Sequence, residues 1–112
     1  MDLDQRRKEY HYSLDSSLEK IITQLSKIPE ILKVISFGSY AKGRRDLFTD
    51  LDLIIIMETE KEFLQRTAEL YQLLQSDVDM DLLVYTPSEF QEMQEGSFLR
   101  YALENGQVIY EK

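Results

Sequence analysis

The chain has 112 residues, 43% hydrophobic and 30% charged, with four Gly and two Pro. This composition excludes a disordered tail and fits one globular domain over residues 1–112, long enough to bury a core without disulfide or metal staples. Thirteen Lys and Arg against 21 Asp and Glu give a net charge of -8, which disfavours non-specific nucleic-acid binding; the absence of cysteine removes thiol chemistry and fits a reducing compartment.

Leu14, Leu18, Ile21, Ile22 and Leu25 follow helical spacing and predict a first helix over residues 5–27. Pro29 forces a turn before a first strand, Leu32 to Phe37. A polar, basic connection follows Gly38, and then Leu51 to Met57, an almost unbroken aliphatic run, reads as a central strand covered on both faces. Thr59 and Glu62 have capping-box spacing, and Phe63, Thr67, Leu70, Tyr71 and Leu74 trace the inward face of a second long helix ending at Ser76-Asp77. Val78 to Tyr85 reads as a third strand.

Thr86-Pro87-Ser88-Glu89 then combines an N-cap, a Pro at the first helical position and a capping-box Glu. Gly96 is expected to close that short helix as a left-handed cap, and Ser97 to open another over Phe98 to Leu103. Asn105-Gly106 turns the chain into Gln107 to Tyr110. The alternation predicts an α/β (α+β) domain on a small mixed sheet of three core strands, with a short fourth from the last segment. Leu53 to Met57 is too short to span a membrane, and Met1-Asp2-Leu3-Asp4 lacks a signal pattern. The expectation is a cytoplasmic protein with no membrane partner.

Four carboxylates break the apolar pattern. Asp50 and Asp52 start the second strand, and Asp79 and Asp81 lie in the third, although Asp is depleted in strands. Members of each pair share a face, about 7 Å apart along the strand. Singly, each reads as a solvated residue at a strand end. Converged on adjacent strands, they repel unless a cation lies between them, and hard oxygen ligands suit Mg²⁺ or Mn²⁺. Gly38-Ser39 directly follows a strand, where Gly permits close backbone approach and Ser can offer N–H and hydroxyl to a phosphate. Lys42, Arg44 and Arg45 add positive charge, Arg44 and Arg45 reading as solvated loop residues. His11 reads as a surface residue.

Phe37-Gly38-Ser39-Tyr40-Ala41-Lys42-Gly43 and, with ten residues intervening after Ser39, Asp50-Leu51-Asp52 within Thr49-Asp50-Leu51-Asp52-Leu53 resemble the signature of the DNA polymerase beta nucleotidyltransferase superfamily, in particular its minimal nucleotidyltransferase branch. The resemblance extends through Asp81-Leu82-Leu83-Val84-Tyr85-Thr86-Pro87-Ser88-Glu89-Phe90, Gly96-Ser97-Phe98-Leu99 and Glu104-Asn105-Gly106-Gln107-Val108-Ile109-Tyr110-Glu111. It implies the nucleotidyltransferase fold, with Asp50 and Asp52 holding divalent ions, Mg²⁺ or alternatively Mn²⁺, in two-metal catalysis. Asp81 aligns with the third family carboxylate. Asp79 is its rival, since strand alternation cannot separate the two and only the family register favours Asp81.

Gly38 and Ser39 would hold the β and γ phosphates, with Lys42 adding charge where many members carry Arg. The scattered tyrosines Tyr40, Tyr71, Tyr85, Tyr101 and Tyr110 read as core and rim rather than as a base-stacking platform, with Tyr40 alone also able to border the nucleotide. The resemblance implies transfer of a nucleoside monophosphate, AMP from ATP, to a hydroxyl. Larger members append acceptor-binding domains, for which this chain has no room; minimal members pair with a small helical HEPN-domain protein, often a ribonuclease toxin, and some adenylylate a tyrosine near its active site. The implied role is an antitoxin. Two other readings stand beside it, a binding module that blocks its partner by contact and a small-molecule nucleotidyltransferase. Self-association is left open.

Overall fold

The computed structural model describes residues 3–74 and 76–112. Met1 and Asp2, with part of the amino-terminal pattern read above, and Gln75, just before the expected helix end at Ser76-Asp77, lie outside the described residues. The elements are α1 (Leu3–Ser26), β1 (Ile31–Phe37), α2 (Gly38–Ala41), β2 (Leu51–Met57), α3 (Phe63–Leu73), β3 (Met80–Tyr85), α4 (Pro87–Met93), α5 (Ser97–Glu104) and β4 (Gln107–Glu111). One mixed sheet runs in the order β3-β2-β1-β4. β1 is antiparallel to both β2 and β4, whereas β2 and β3 are parallel. The fourth strand expected from the sequence is thus a full member of the sheet.

Side-chain alternation divides the core in two. Val34, Leu51, Leu53, Ile55, Leu82 and Val84 pack with Leu14, Leu18, Ile21 and Leu25 of α1 and Leu70 of α3. Ile35, Phe37, Ile54, Ile56 and Tyr85 pack with Phe90 of α4 and with Leu99 and Ala102 of α5. The sheet is therefore covered on both faces, as the unbroken apolar run of β2 requires. Asp52 and Asp81, two residues before Ile54 and Leu83, share the α4/α5 face.

Five local expectations are corrected. A short helix, α2, replaces the irregular start of the connection after Gly38. Thr59 and Glu62 form no capping box: Glu62 is the N-cap without a side-chain cap bond, and the Thr59 hydroxyl instead accepts the Lys61 N–H at 3.1 Å. The inward face of α3 carries Arg66, 4% exposed, between the half-exposed Phe63 and buried Leu70, while Tyr71 is 40% exposed. Arg66 is tolerated there because its guanidinium makes a two-pronged pair with Glu89, at 2.7 and 2.8 Å. β3 begins at Met80, two residues later than expected. Gly96 is extended, with φ -71 and ψ 151, and serves as the N-cap of α5, the position expected for Ser97, rather than as a left-handed closure of α4. The Thr86/Glu89 capping box forms as read.

Candidate active site

The site is built where β1 ends and β2 and β3 begin. Phe37, the last residue of β1, pairs with Asp52, and Asp52 pairs with Asp81 across the parallel ladder. These pairings put the Gly38-Ser39 turn and the two carboxylates at one end of the sheet. Gly38 has φ +74, and a Cβ added there would overlap Asp52 Oδ2. Only glycine lets the backbone pass so close to this carboxylate.

Asp50 precedes β2 and is set by a compact turn. The Asp46 carboxylate accepts the Phe48 N–H at 2.9 Å and the Thr49 hydroxyl at 3.1 Å. Thr49 is completely buried, and its carbonyl accepts the Tyr10 hydroxyl of α1 at 2.7 Å. The Tyr10 hydroxyl is pushed above its ordinary range by burial and then by the negative charges of Asp50, Asp79 and Asp46. Asp46 and Tyr10 escaped the sequence reading; the only signal for Asp46 was its three-residue spacing to Thr49, common to many turns.

Burial, followed by the Asp81 and Asp50 charges and a hydrogen bond with Asp81, pushes the Asp52 carboxyl up to about 6. Asp50, Asp52 and Asp81 are thus electrostatically joined. Asp79 lies outside β3 with an exposed side chain, although its carbonyl still accepts the Leu51 N–H at 3.0 Å. Of the two rivals, Asp81 is the one registered with Asp52.

The basic loop is not free. Lys42, the C-cap of α2, donates to the Tyr101 hydroxyl at 2.8 Å, its ammonium 4.8 Å from that ring's centre. Arg44 pairs with Asp46 at 2.6 Å. Arg45 donates to the Tyr40 carbonyl at 2.8 Å, stacks 3.5 Å over the Tyr40 ring and approaches Asp15 at 3.4 Å. Asp15 also accepts the Tyr40 hydroxyl and lies 3.4 Å from the exposed His11. Arg45 therefore clamps α1 to α2 rather than lying solvated, and Tyr40 is buried in the core, as its core reading expected.

Among the described residues, no three Asp, Glu or His side chains already converge as a metal cage. The donors nonetheless fit a hard divalent ion. Asp50, Asp52 and Asp81 offer carboxylate oxygens whose mutual repulsion a cation would relieve, and the glycine beside Asp52 leaves room for its carboxylate. A concavity of about 970 Å³ lies at the opposite end of β2, lined by Glu30, Glu58, Glu60, Glu62 and Glu69 with Lys61 and Arg66. It contains none of the expected site residues, and its acidic rim is unsuited to a triphosphate.

No described helix is long and apolar enough to cross a membrane. No curated protein matches the sequence. Among solved structures, a nucleotidyltransferase-like protein from Sulfolobus solfataricus is 16% identical with a TM-score of 0.67, the match covering 95% of this chain and 87% of that one. A chain from a mutant of the toxin-antitoxin MntA-HpeT is 24% identical with a TM-score of 0.54, over 85% of this chain and 72% of that one. A chain from the complex of tri-AMPylated Shewanella oneidensis HEPN toxin with MNT antitoxin is 19% identical with a TM-score of 0.51, over 88% and 73%. These likenesses bear on the fold. The family model for polymerase beta nucleotidyltransferases matches residues 19–112, a span that holds the paired aspartates, the Gly-Ser turn and all four strands, and the chain belongs to that family.

Proposed function

We propose that the protein is a divalent-metal-dependent nucleotidyltransferase that moves AMP from ATP to a hydroxyl, the acceptor being a tyrosine of a partner HEPN-domain toxin, so that the chain acts as a cytoplasmic antitoxin. The observation that carries the chemistry is the level register of Asp52 and Asp81 beside Gly38, which has no room for a side chain. The similarity to chains from toxin-antitoxin structures, one with AMP-PNP and one with an AMPylated HEPN toxin, supports the substrate and the partner.

Asp50, Asp52 and Asp81 would hold Mg²⁺, with Mn²⁺ as the alternative. When bound, the metal supplies charge neutralisation for the triphosphate and the attacking oxygen. Gly38 and Ser39 present backbone N–H groups and a hydroxyl to the β and γ phosphates, and Lys42, held by Tyr101, adds a positive charge beside them. In the transfer, the acceptor oxygen forms a bond to the α-phosphorus while the bond from that phosphorus to the bridging oxygen breaks. The acceptor proton passes to the Asp81 carboxylate, and pyrophosphate leaves with the bridging electrons.

A pull-down from native lysate with ATP labelled at the α-phosphate and Mg²⁺ tests the proposal, with Asp50→Ala/Asp52→Ala as comparison. Label on a retained protein with wild type alone supports transfer to a protein hydroxyl. A partner retained equally by both proteins and labelled by neither sinks the catalytic proposal and leaves a binding module.

A further inference from the structure

Tyr71 lies on the last turn of α3, and its hydroxyl reaches the free edge of β3. It accepts the Leu82 N–H at 2.8 Å and donates to the Met80 carbonyl at 3.3 Å. These two peptide groups flank Asp81. Peptide groups alternate in direction along a strand, so those of Met80 and Leu82 face away from β2 while those of Asp81 face toward it. Tyr71 thereby stands in for a missing neighbouring strand. The backbone at Asp81 is gripped from both sides, by the β2 ladder on one and by a single phenol on the other.

We infer that Tyr71 is a positioning residue for the proposed metal site: its hydroxyl fixes the Met80–Leu82 backbone so that the Asp81 carboxylate stays level with Asp52. The inference rests on the reading of Asp81 given above. Edge protection alone would account for a side chain that blunts β3. It does not account for the position, because the two bonded groups bracket the one β3 residue registered with Asp52. An edge strand held by one ladder frays readily, and Asp81 lies one residue from the start of β3, where fraying is greatest. Repulsion from Asp52 and Asp50 would push Asp81 outward, and the phenol opposes that movement.

The test compares Tyr71→Phe, which keeps the ring and removes only the hydroxyl, with Asp81→Asn. Three readouts are taken: hydrogen exchange at the Leu82 amide, Mn²⁺ binding by electron paramagnetic resonance without nucleotide, and kcat and KM for α-phosphate transfer. For Tyr71→Phe the expected results are about tenfold faster exchange at Leu82, and about tenfold losses in Mn²⁺ affinity and kcat, the scale seen for groups that orient metal ligands. KM for ATP should stay within about twofold, and thermal stability should be nearly unchanged. Wild-type Mn²⁺ affinity and kcat in Tyr71→Phe, with Asp81→Asn inactive, would overturn the inference and leave the proposed function standing. Wild-type transfer and Mn²⁺ binding by Asp81→Asn would overturn the reading of the site, and the positioning role with it. Unchanged exchange at Leu82 in Tyr71→Phe would overturn the inference irrespective of activity.

Discussion

Asp52 and Asp81 stand level on adjacent parallel strands, on the same face of the sheet, and the Asp52 carboxyl is held near 6 by burial and by its neighbour's charge. The ordinary value is about 3.9. A carboxyl raised on folding contributes stability that is complete below the unfolded value and is lost as pH rises through the folded one. The protein without metal is therefore strained near neutrality at its own site. In chelator at pH 7.5, Asp52→Asn should melt a few degrees above wild type, whereas at pH 4 the two should coincide. Mg²⁺ should raise the melting temperature of wild type and not of the variant, and the variant should lose transfer. A melting difference that does not change with pH in differential scanning calorimetry would refute this account.

The third carboxylate can be identified by one pair of variants. Both aspartates are exposed, but Asp79 precedes β3 while Asp81 lies within it and is registered with Asp52. Asp81→Asn should lower kcat for transfer by at least about a hundredfold, and Asp79→Asn by less than about threefold, the usual contrast between a group at the reacting centre and one outside it. Kinetics at saturating ATP and Mg²⁺ decide it. The reverse order would exchange the roles of the two aspartates.

Gly38 and Gly43 separate crowding from backbone strain. Both have positive φ, +74 and +98, but a Cβ at Gly38 meets Asp52 whereas one at Gly43 meets nothing within 4 Å. Gly43→Ala should cost about 1 kcal/mol in urea unfolding, from the left-handed backbone alone. Gly38→Ala should cost about 2–3 kcal/mol, because a displaced carboxylate adds to that strain. Its transfer rate should fall further than its stability. Equal losses of both stability and rate in the two variants would show that contact with Asp52 has no role.

The course of the sheet was largely legible in the sequence because period and chemistry agreed there. Leu51 to Met57 is apolar at every position except Asp52, and β2 has those bounds. Of the four carboxylates that stood out because Asp is rare in strands, Asp52 and Asp81 do lie in β2 and β3, whereas Asp50 and Asp79, read as strand residues, fall just before those strands. The misreadings arose where a pattern admitted two partners. Arg66 lies on the same helical stripe as Phe63 and Leu70, but a charged residue is buried only when a distant acid answers it, and Glu89 is 23 positions away in sequence. Arg45 escaped in the same way, its partner Asp15 being on α1. Gly96 could cap either the helix before it or the one after it, and the backbone chose the second. No periodicity reveals that Tyr71 reaches across to the edge of β3.

The Arg66–Glu89 pair gives the clearest acid-stability prediction. Its side chains are 5% and 40% exposed, so the acid retains partial access to water while the guanidinium has almost none. The Arg66 pair and the Thr86 N–H hold the Glu89 carboxyl down to about 2. A depressed carboxyl contributes stability that is present above the unfolded value, about 4.3, and is lost as pH falls through the folded one. Glu89→Ala should therefore lower the unfolding free energy by about 2–3 kcal/mol at pH 7, less than the loss of a fully buried partner because solvent screens Glu89. The deficit should shrink below pH 4.5 and nearly vanish by pH 2. Arg66→Met should cost less than Glu89→Ala, since it fills the apolar slot and leaves the acid where water reaches it. The pair acts on α3 and α4 at the far end of the strands from Asp52, so both variants should retain transfer while folded. Urea titrations from pH 2 to 7 measure all of this, and an equal deficit for Glu89→Ala at every pH would mean that the ion pair is not what holds α3 against α4.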